Sequence, residues 1–262
     1  GAGLDISAIS VGQRVTIYGN VTANDAARVH LDATAGAVRM YVTHLAGLVN
    51  SIVPGQTDIE LHAIDRRRVQ IFDFSGTGTG PDTDADPDNY EVATGNLFMN
   101  PVATGRPVVV YGFPNAFGAA PPDFEGRTIV DFSDVRSTLG IGWGSEGTVA
   151  PFLSIGTDGL VLDNQNPDID VRHHIKQGPV LIDLTRLPSG TVIKLREPGR
   201  NLFVVKTTDS LQLYSDFDDF VTALLNELDG ATTARSMFAR GQYDADTNEF
   251  TAYKIGVYLL EP

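Results

Sequence analysis

Along most of the chain, apolar residues come in short runs or at alternate positions, cut every few residues by Gly, Pro, Asn or Asp. The runs are rich in Val, Ile, Tyr and Phe, and this pattern predicts strands joined by turns. Between residues 46 and 133 the predicted strands are roughly 46–53, 58–63, 67–74, 106–113 and 127–133. Two more are expected near the end, at 236–244 and 249–260. The one stretch with helical period lies at 215–229, where Phe217, Phe220, Val221, Leu224, Leu225 and Leu228 recur on one face. Ser215 with Asp218 three residues on has the form of a capping box, and Gly230 stands where a left-handed cap is expected.

The pattern repeats. GQRVTIYG at 12–19 returns ninety-three positions later as GRPVVVYG at 105–112, with Gly12, Val15, Ile17, Tyr18 and Gly19 answering Gly105, Val108, Val110, Tyr111 and Gly112. Residues 28–32 are matched with 127–131, Gly47-Leu48-Val49 with Gly147-Thr148-Val149, and 59–61 with 160–162. A partial third copy closes the chain, with Phe238 to Gly241 in the place of Val110 to Gly112. A glycine after an aromatic inside a strand predicts a bulge or sharp bend, which a small barrel needs at its corners. Five strands in about ninety residues, with a helix before the last two, is the order of an OB-type Greek-key barrel. The expected fold class is therefore mainly β, as tandem OB-like barrels with one α-helix near the C-terminus. The expected division is a partial unit or N-terminal strands at 1–45, a barrel at 46–144, and a barrel at 145–262 carrying an inserted hairpin and the 215–229 helix. Residues 12–45 match the end of a unit, so their partner strands are either missing or belong to the next barrel. Leu97 and Phe98 are expected to plug one barrel end.

The closing stretch ARGQYDADTNEFTAYKIGVYL, residues 239–259, resembles the final hairpin of short OB-like barrel domains. These belong to a domain-of-unknown-function family of bacterial secreted proteins and lipoproteins. The segments Gly47-x-Val49 and Gly147-x-Val149 fit that family's first strand. The resemblance implies repeated barrels and a bacterial periplasmic or cell-surface location. It brings no catalytic residues.

Composition narrows the chemistry. The 262 residues carry 33 acidic and 19 basic side chains, a formal charge of -14. Phosphate backbones attract clustered Lys and Arg, so a field of this sign argues against nucleic acid and anionic lipid as partners. The tight basic run, Arg66-Arg67-Arg68, is read as a solvated hairpin edge. There are no cysteines, which removes disulfides and thiolate chemistry. No apolar run approaches the roughly 18 residues of a membrane helix. The chain opens Gly-Ala-Gly, which we read as a trimmed piece of a longer precursor whose signal or lipid-anchor segment lies elsewhere.

The loop PDTDADPDNYE places Asp82, Asp84, Asp86 and Asp88 at alternate positions, a weak candidate for Ca²⁺. An EF-hand frame fails: counting from Asp82 gives Pro87 and Ala93 where Gly and Glu are needed, and counting from Asp84 gives Asn89 and Gly95. No other cofactor is implied. His173 and His174 point opposite ways in a strand, with Asp168 and Asp170 nearby as possible partners for a metal. GTGTG at 76–80 lacks both the dinucleotide spacing and the Walker lysine. Ser145 sits in WGSEG, which misses the first glycine of a nucleophile elbow. Trp143 and the tyrosines are read as core or edge packing in preference to a sugar-binding face. The reading that results is a non-enzymatic envelope binding or scaffold protein with a protein or glycan partner. The alternatives are an envelope-polymer hydrolase working through an acidic pair and, further off, an oligonucleotide binder.

Overall fold

The computed structural model describes residues 6–24, 28–99, 102–170, 172–188, 190–196, 200–228 and 230–261. The fold is mainly β with one α-helix among the described residues. The chain forms two compact units, residues 1–104 with 108–130, and residues 105–107 with 131–262.

The first unit opens with a long hairpin, β1 (Val15–Asn24) and β2 (Val29–Met40), whose strands pair only with each other among the described residues. It continues through β3 (Thr43–Val53), β4 (Gln56–Ile64), the short β5 (Arg67–Arg68), β6 (Tyr90–Ala93), β7 (Pro107–Pro114) and β8 (Phe124–Asp131). The ladder β3–β7–β8–β6–β4 returns to β3, which also pairs with β4. β6 and β8 run parallel, with Val92 opposite Phe124. Inside this ladder Leu45, Val49, Ile59, Leu61, Val92, Val108, Val110 and Phe124 form a buried cluster.

The expected strand at 67–74 is only two residues long. At Asp65 and Arg66 the chain turns with φ of 46° and 67°, then enters a 3-10 turn at Val69–Ile71. The third ladder strand is instead Tyr90–Ala93, too short and too close to the aspartate run for alternation to reveal it. Of the expected plug residues, Phe98 is 80% exposed and Leu97 is only partly buried, and neither belongs to the buried cluster. The excursion between β5 and β6 instead sends Phe74 and Ala85 into the core cluster.

The second unit contains β9 (Ser137–Gly142), β10 (Phe152–Gly156), β11 (Gly159–Leu162), β12 (His173–Gln177), β13 (Val180–Asp183), β14 (Thr191–Leu195), β15 (Leu202–Lys206), β16 (Leu211–Tyr214), α1 (Phe217–Glu227), β17 (Thr233–Asp244) and β18 (Glu249–Leu260). Its main ladder runs β10–β11–β14–β18–β17–β9–β12–β13, with β14 parallel to β18. Just before β10, Thr148 makes an antiparallel bridge to Ala234 of β17. The β15–β16 hairpin joins β18 through β15.

The helix is shorter than expected, and its cap is Asp216 rather than Ser215. The Asp216 carboxylate accepts from the amides of Asp218 and Asp219, which satisfies two of the orphan donors of a helix start. Phe217, Phe220, Val221 and Leu224 are buried, whereas Leu225 is half exposed. Phe220 stacks on Phe203 of β15 at 5.4 Å between centroids. Gly230 does hold a positive φ, 95°. Asp229, the last residue of the expected helix, lies outside the described residues.

One local device recurs. A Cβ built on Gly19 would lie 2.3 Å from the carbonyl oxygen of Asp32, and one on Gly112 would lie 2.0 Å from that of Glu125. Each carbonyl is thirteen residues on. Gly47 meets Glu60 at 2.1 Å and Gly241 meets Thr251 at 2.0 Å. The ladder register shifts at Gly19, Gly47 and Gly241. Those three are bulges, and at all four glycines the partner backbone approaches too closely for any side chain. The contacts match Asp32 with Glu125, so the ninety-three-residue offset carries into the following strand. The matching of 28–32 with 127–131 was six residues too far along.

Candidate functional site

The Asp-rich loop is a folded structure held by its own side chains. Pro81 and Pro87 each open a 3-10 turn, since proline has no amide to leave unpaired at that position. The Thr83 hydroxyl accepts from the Gly80 amide. The Asp84 carboxylate accepts from the Gly78 amide at 2.8 Å, and amides of the Gly76–Gly78 turn hold it below the usual carboxylate range. The Thr77 hydroxyl receives the Ala85 amide at 2.9 Å, which seats Ala85 in the core. Asp86 accepts from the Asp88 amide. GTGTG is thus the cradle of an aspartate of the same chain.

A second loop, residues 115–123, is tied to this one. The Ala120 and Thr77 backbones bond at 3.1 Å, and the Thr79 amide reaches the Ala120 carbonyl at 3.0 Å. Between the two loops and β6 lies a hollow of about 200 Å³ lined by Asp82, Asp84, Asp86, Glu91, Pro121 and Asp123, among others. Asp123 is its most enclosed carboxylate, 6% exposed. One oxygen accepts from the Glu91 amide at 2.8 Å. Burial pushes the Asp123 carboxyl up to about 6; that hydrogen bond opposes the rise, while the charges of Glu91, Asp86 and Asp58 add to it. Glu91 is also raised, by burial and then by Asp58, which lies directly opposite it on β4. Both Asp58 oxygens are engaged, by the Ser51 hydroxyl at 2.6 Å and the Gln56 amide group at 2.7 Å. The buried Tyr90 hydroxyl is pushed up by burial and by Asp123. The hollow therefore offers one carboxyl pushed up to about 6, set among other acidic side chains. It suits a cation, a cationic side chain or a hydroxyl donor.

The four aspartates of the calcium expectation are placed unequally. Asp82, Asp84 and Asp86 reach the hollow, Asp84 with its carboxylate committed to backbone amides, while Asp88 is not among its lining residues. Among the described residues no three His, Asp or Glu side chains form a group arranged to hold a metal ion. His173 pairs with Asp183 of β13 at 3.2 Å. Trp143 is fully buried and packs edge-on against Phe152, so it offers no sugar platform. The Ser145 hydroxyl donates to Glu146. The three arginines of the basic run are exposed. Arg66 and Arg67 join Arg14, His44 and Phe72 around a wider hollow of about 670 Å³ at the foot of the β1–β2 hairpin.

Sequence reasoning missed Glu91 and Asp123. Their meeting depends on the parallel β6–β8 pairing across thirty residues of chain, which no local pattern encodes. The available signal was the polar Asp123 between Pro-Pro and a strand beginning with Phe124.

Comparison with protein-family models, curated proteins and solved structures returns no match to this chain. No helix among the described residues is long and apolar enough to cross a membrane.

Proposed function

We propose that the chain is a non-enzymatic binding or scaffold protein of the bacterial cell envelope, built from small OB-like barrels, and that it takes its ligand at the acidic hollow around Asp123. The strand pairing supports the barrels. In the first unit the ladder runs back to its starting strand, and in the second an isolated bridge links Thr148, just ahead of β10, to Ala234 of β17. In each unit the last strand takes a parallel neighbour, and in the second the helix lies between β14 and β17, as OB order requires. The envelope assignment rests on the resemblance of residues 239–259.

The observation that carries the binding site is its position. The hollow lies against the third ladder strand and the 115–123 loop, which joins the fourth strand to the fifth. OB-type barrels bind ligands over the second and third strands and beside that loop. Its charge selects the ligand. Carboxylates at the rim and a chain charge of -14 favour a cationic segment of a protein partner. Titration of labelled protein with a short Lys-rich peptide should move the Glu91 and Asp123 amide signals and saturate. A hexosamine oligosaccharide in a parallel titration distinguishes a glycan ligand. Neither probe binding at millimolar concentration would remove the hollow as a binding site.

One observation favours a second reading. A carboxyl near 6 beside Glu91 is the electrostatic condition for general acid–base work on a polymer. Release of soluble sugar from purified envelope polymer, abolished by Asp123→Asn, would establish it.

A further inference from the structure

We propose that β1 and β2 are the closing pair of a further barrel, whose three opening strands are supplied by polypeptide joined ahead of Gly1. The inference rests on the barrel reading above.

The hairpin is built like a barrel component but is uncovered. Its strands are ten and twelve residues long and, among the described residues, pair only with each other. Ile17 lies opposite Val38, and Val21 opposite Leu31. These side chains are exposed by 47%, 40%, 60% and 40%. An isolated two-stranded hairpin is marginal in water. Its two free edges are rows of unpaired backbone groups, ready templates for further strands.

The glycines identify which component it is. Gly12 and Gly105 share a φ of 80°, and each stands seven residues before a glycine that its partner strand approaches closely. Gly19 and Gly112 are each closely approached by a carbonyl thirteen residues on. In β7 the positions matching Val15 and Ile17 are Val108 and Val110, both fully buried in the ladder core. One sequence phrase thus builds one bent strand twice, once enclosed and once bare.

Chain order then names the occupant. Three ladder strands, β3, β4 and β6, precede β7–β8; in the second unit β10, β11 and β14 precede β17–β18 and line up on the β18 side, while β9, β12 and β13 extend the ladder on the β17 side. In both cases the third runs parallel to the fifth. The same order places three strands ahead of β1, one along its free edge and one parallel to β2. A second copy of residues 1–262 has its opening strands engaged in its own ladders and offers single edges, such as β13, β16 or another hairpin, rather than three strands in this order.

Hydrogen exchange tests this on residues 1–262 and on the naturally extended polypeptide. The β1 and β2 amides facing the free edges should exchange about a hundredfold more slowly in the extended form, as expected of an edge that becomes paired. Ile17→Asp should lower the melting temperature of the extended form and leave that of residues 1–262 unchanged. Equal exchange in the two forms would overturn the inference. So would a natural polypeptide with fewer than about forty residues ahead of Gly1, too few for three strands and their turns. Protection of the hairpin in residues 1–262 through dimerisation, seen by sedimentation, would overturn it as well. Nuclear Overhauser contacts from β3 to both β4 and β7 test the barrel reading separately. If those contacts hold while the hairpin stays unprotected, this inference alone fails.

Discussion

Glu91 and Asp123 hold each other twice. The Glu91 amide donates to the Asp123 carboxylate at 2.8 Å, and the Asp123 amide donates to the Glu91 carbonyl at 2.9 Å. The second bond extends the β6–β8 pairing; the first fixes a carboxylate where water reaches it poorly and three other acids surround it. The strand that builds the ladder therefore also sets the chemistry of the hollow.

Asp123→Asn should stabilise the protein at neutral pH. The folded state raises this carboxyl from 3.8 to about 6, so between those values it binds more protons folded than unfolded. Its stabilising contribution is present in full below pH 3.8 and is lost as pH rises through 6. Asparagine keeps an acceptor for the Glu91 amide and carries no charge. At pH 7.5 the gain should be on the order of 1–2 kcal/mol once solvent screening is discounted, and it should vanish near pH 4. Thermal melts of both proteins across this range check it. A variant less stable than the parent at pH 7.5 would contradict the assigned environment.

Asp84 behaves in the opposite sense. Amides of the Gly76–Gly78 turn hold its pKa below 3.8, so its contribution is present above 3.8 and lost as pH falls through the folded value. Asp84→Ala should release the Gly78 amide to fast exchange and lower the melting temperature at pH 7, with the difference closing in acid. Because this carboxylate is already bonded to backbone amides, calorimetry with millimolar Ca²⁺ should give no heat. A saturating isotherm, lost in Asp82→Asn, would restore the loop as a calcium site.

Strand grammar was readable where strands were long. The runs at 46–53, 58–63, 236–244 and 249–260 all fall within observed strands, because alternation over many residues reports a face buried on one side. It failed where tertiary structure decides. Residues 67–74 are apolar enough for a strand, but the left-handed pair Asp65–Arg66 turns the chain away after two paired residues. Val69 and Phe74 are then buried from an irregular path. The aspartates at 82–88 were visible as a cluster, yet their roles were not. Asp84 serves a glycine turn six residues back, Asp86 serves the next 3-10 turn, and Asp123 enters from a loop with no sequence link to either.

The helix gives a direct contest between pattern and geometry. Asp216→Ala should cost about 0.5–2 kcal/mol, the range for losing an N-cap, whereas Ser215→Ala should be silent. Phe220→Ala removes a ring fully buried between Phe203, Phe217 and Tyr214 and should cost about 3–5 kcal/mol. Leu225→Ala, on the solvent side, should stay within about 0.5 kcal/mol. Denaturant melts of the four variants rank them, and a costly Ser215→Ala would return the cap to the position the sequence favoured.

The closely approached glycines should be irreplaceable in proportion to what they bend. At Gly112 and Gly241 a methyl group would sit 2.0 Å from a backbone carbonyl oxygen of the partner strand. A carbonyl held in a ladder does not yield as the end of a flexible side chain does. The strands must instead separate, breaking hydrogen bonds on both sides. Gly112→Ala and Gly241→Ala should therefore each cost about 1–3 kcal/mol or more, the range for forcing extra atoms into packed structure. Gly156, in β10, has no atom within 4 Å of its would-be Cβ. Gly156→Ala should be neutral or up to about 1 kcal/mol stabilising, because it removes only chain freedom. Gly19 has the same clash at 2.3 Å, but its hairpin contains no buried residue. Gly19→Ala in residues 1–262 should consequently leave the main unfolding transition within about 0.5 kcal/mol of the parent. Melting the four proteins side by side separates steric cost from glycine loss. A neutral Gly112→Ala would mean that β7 and β8 do not approach as closely at this bend as their pairing requires.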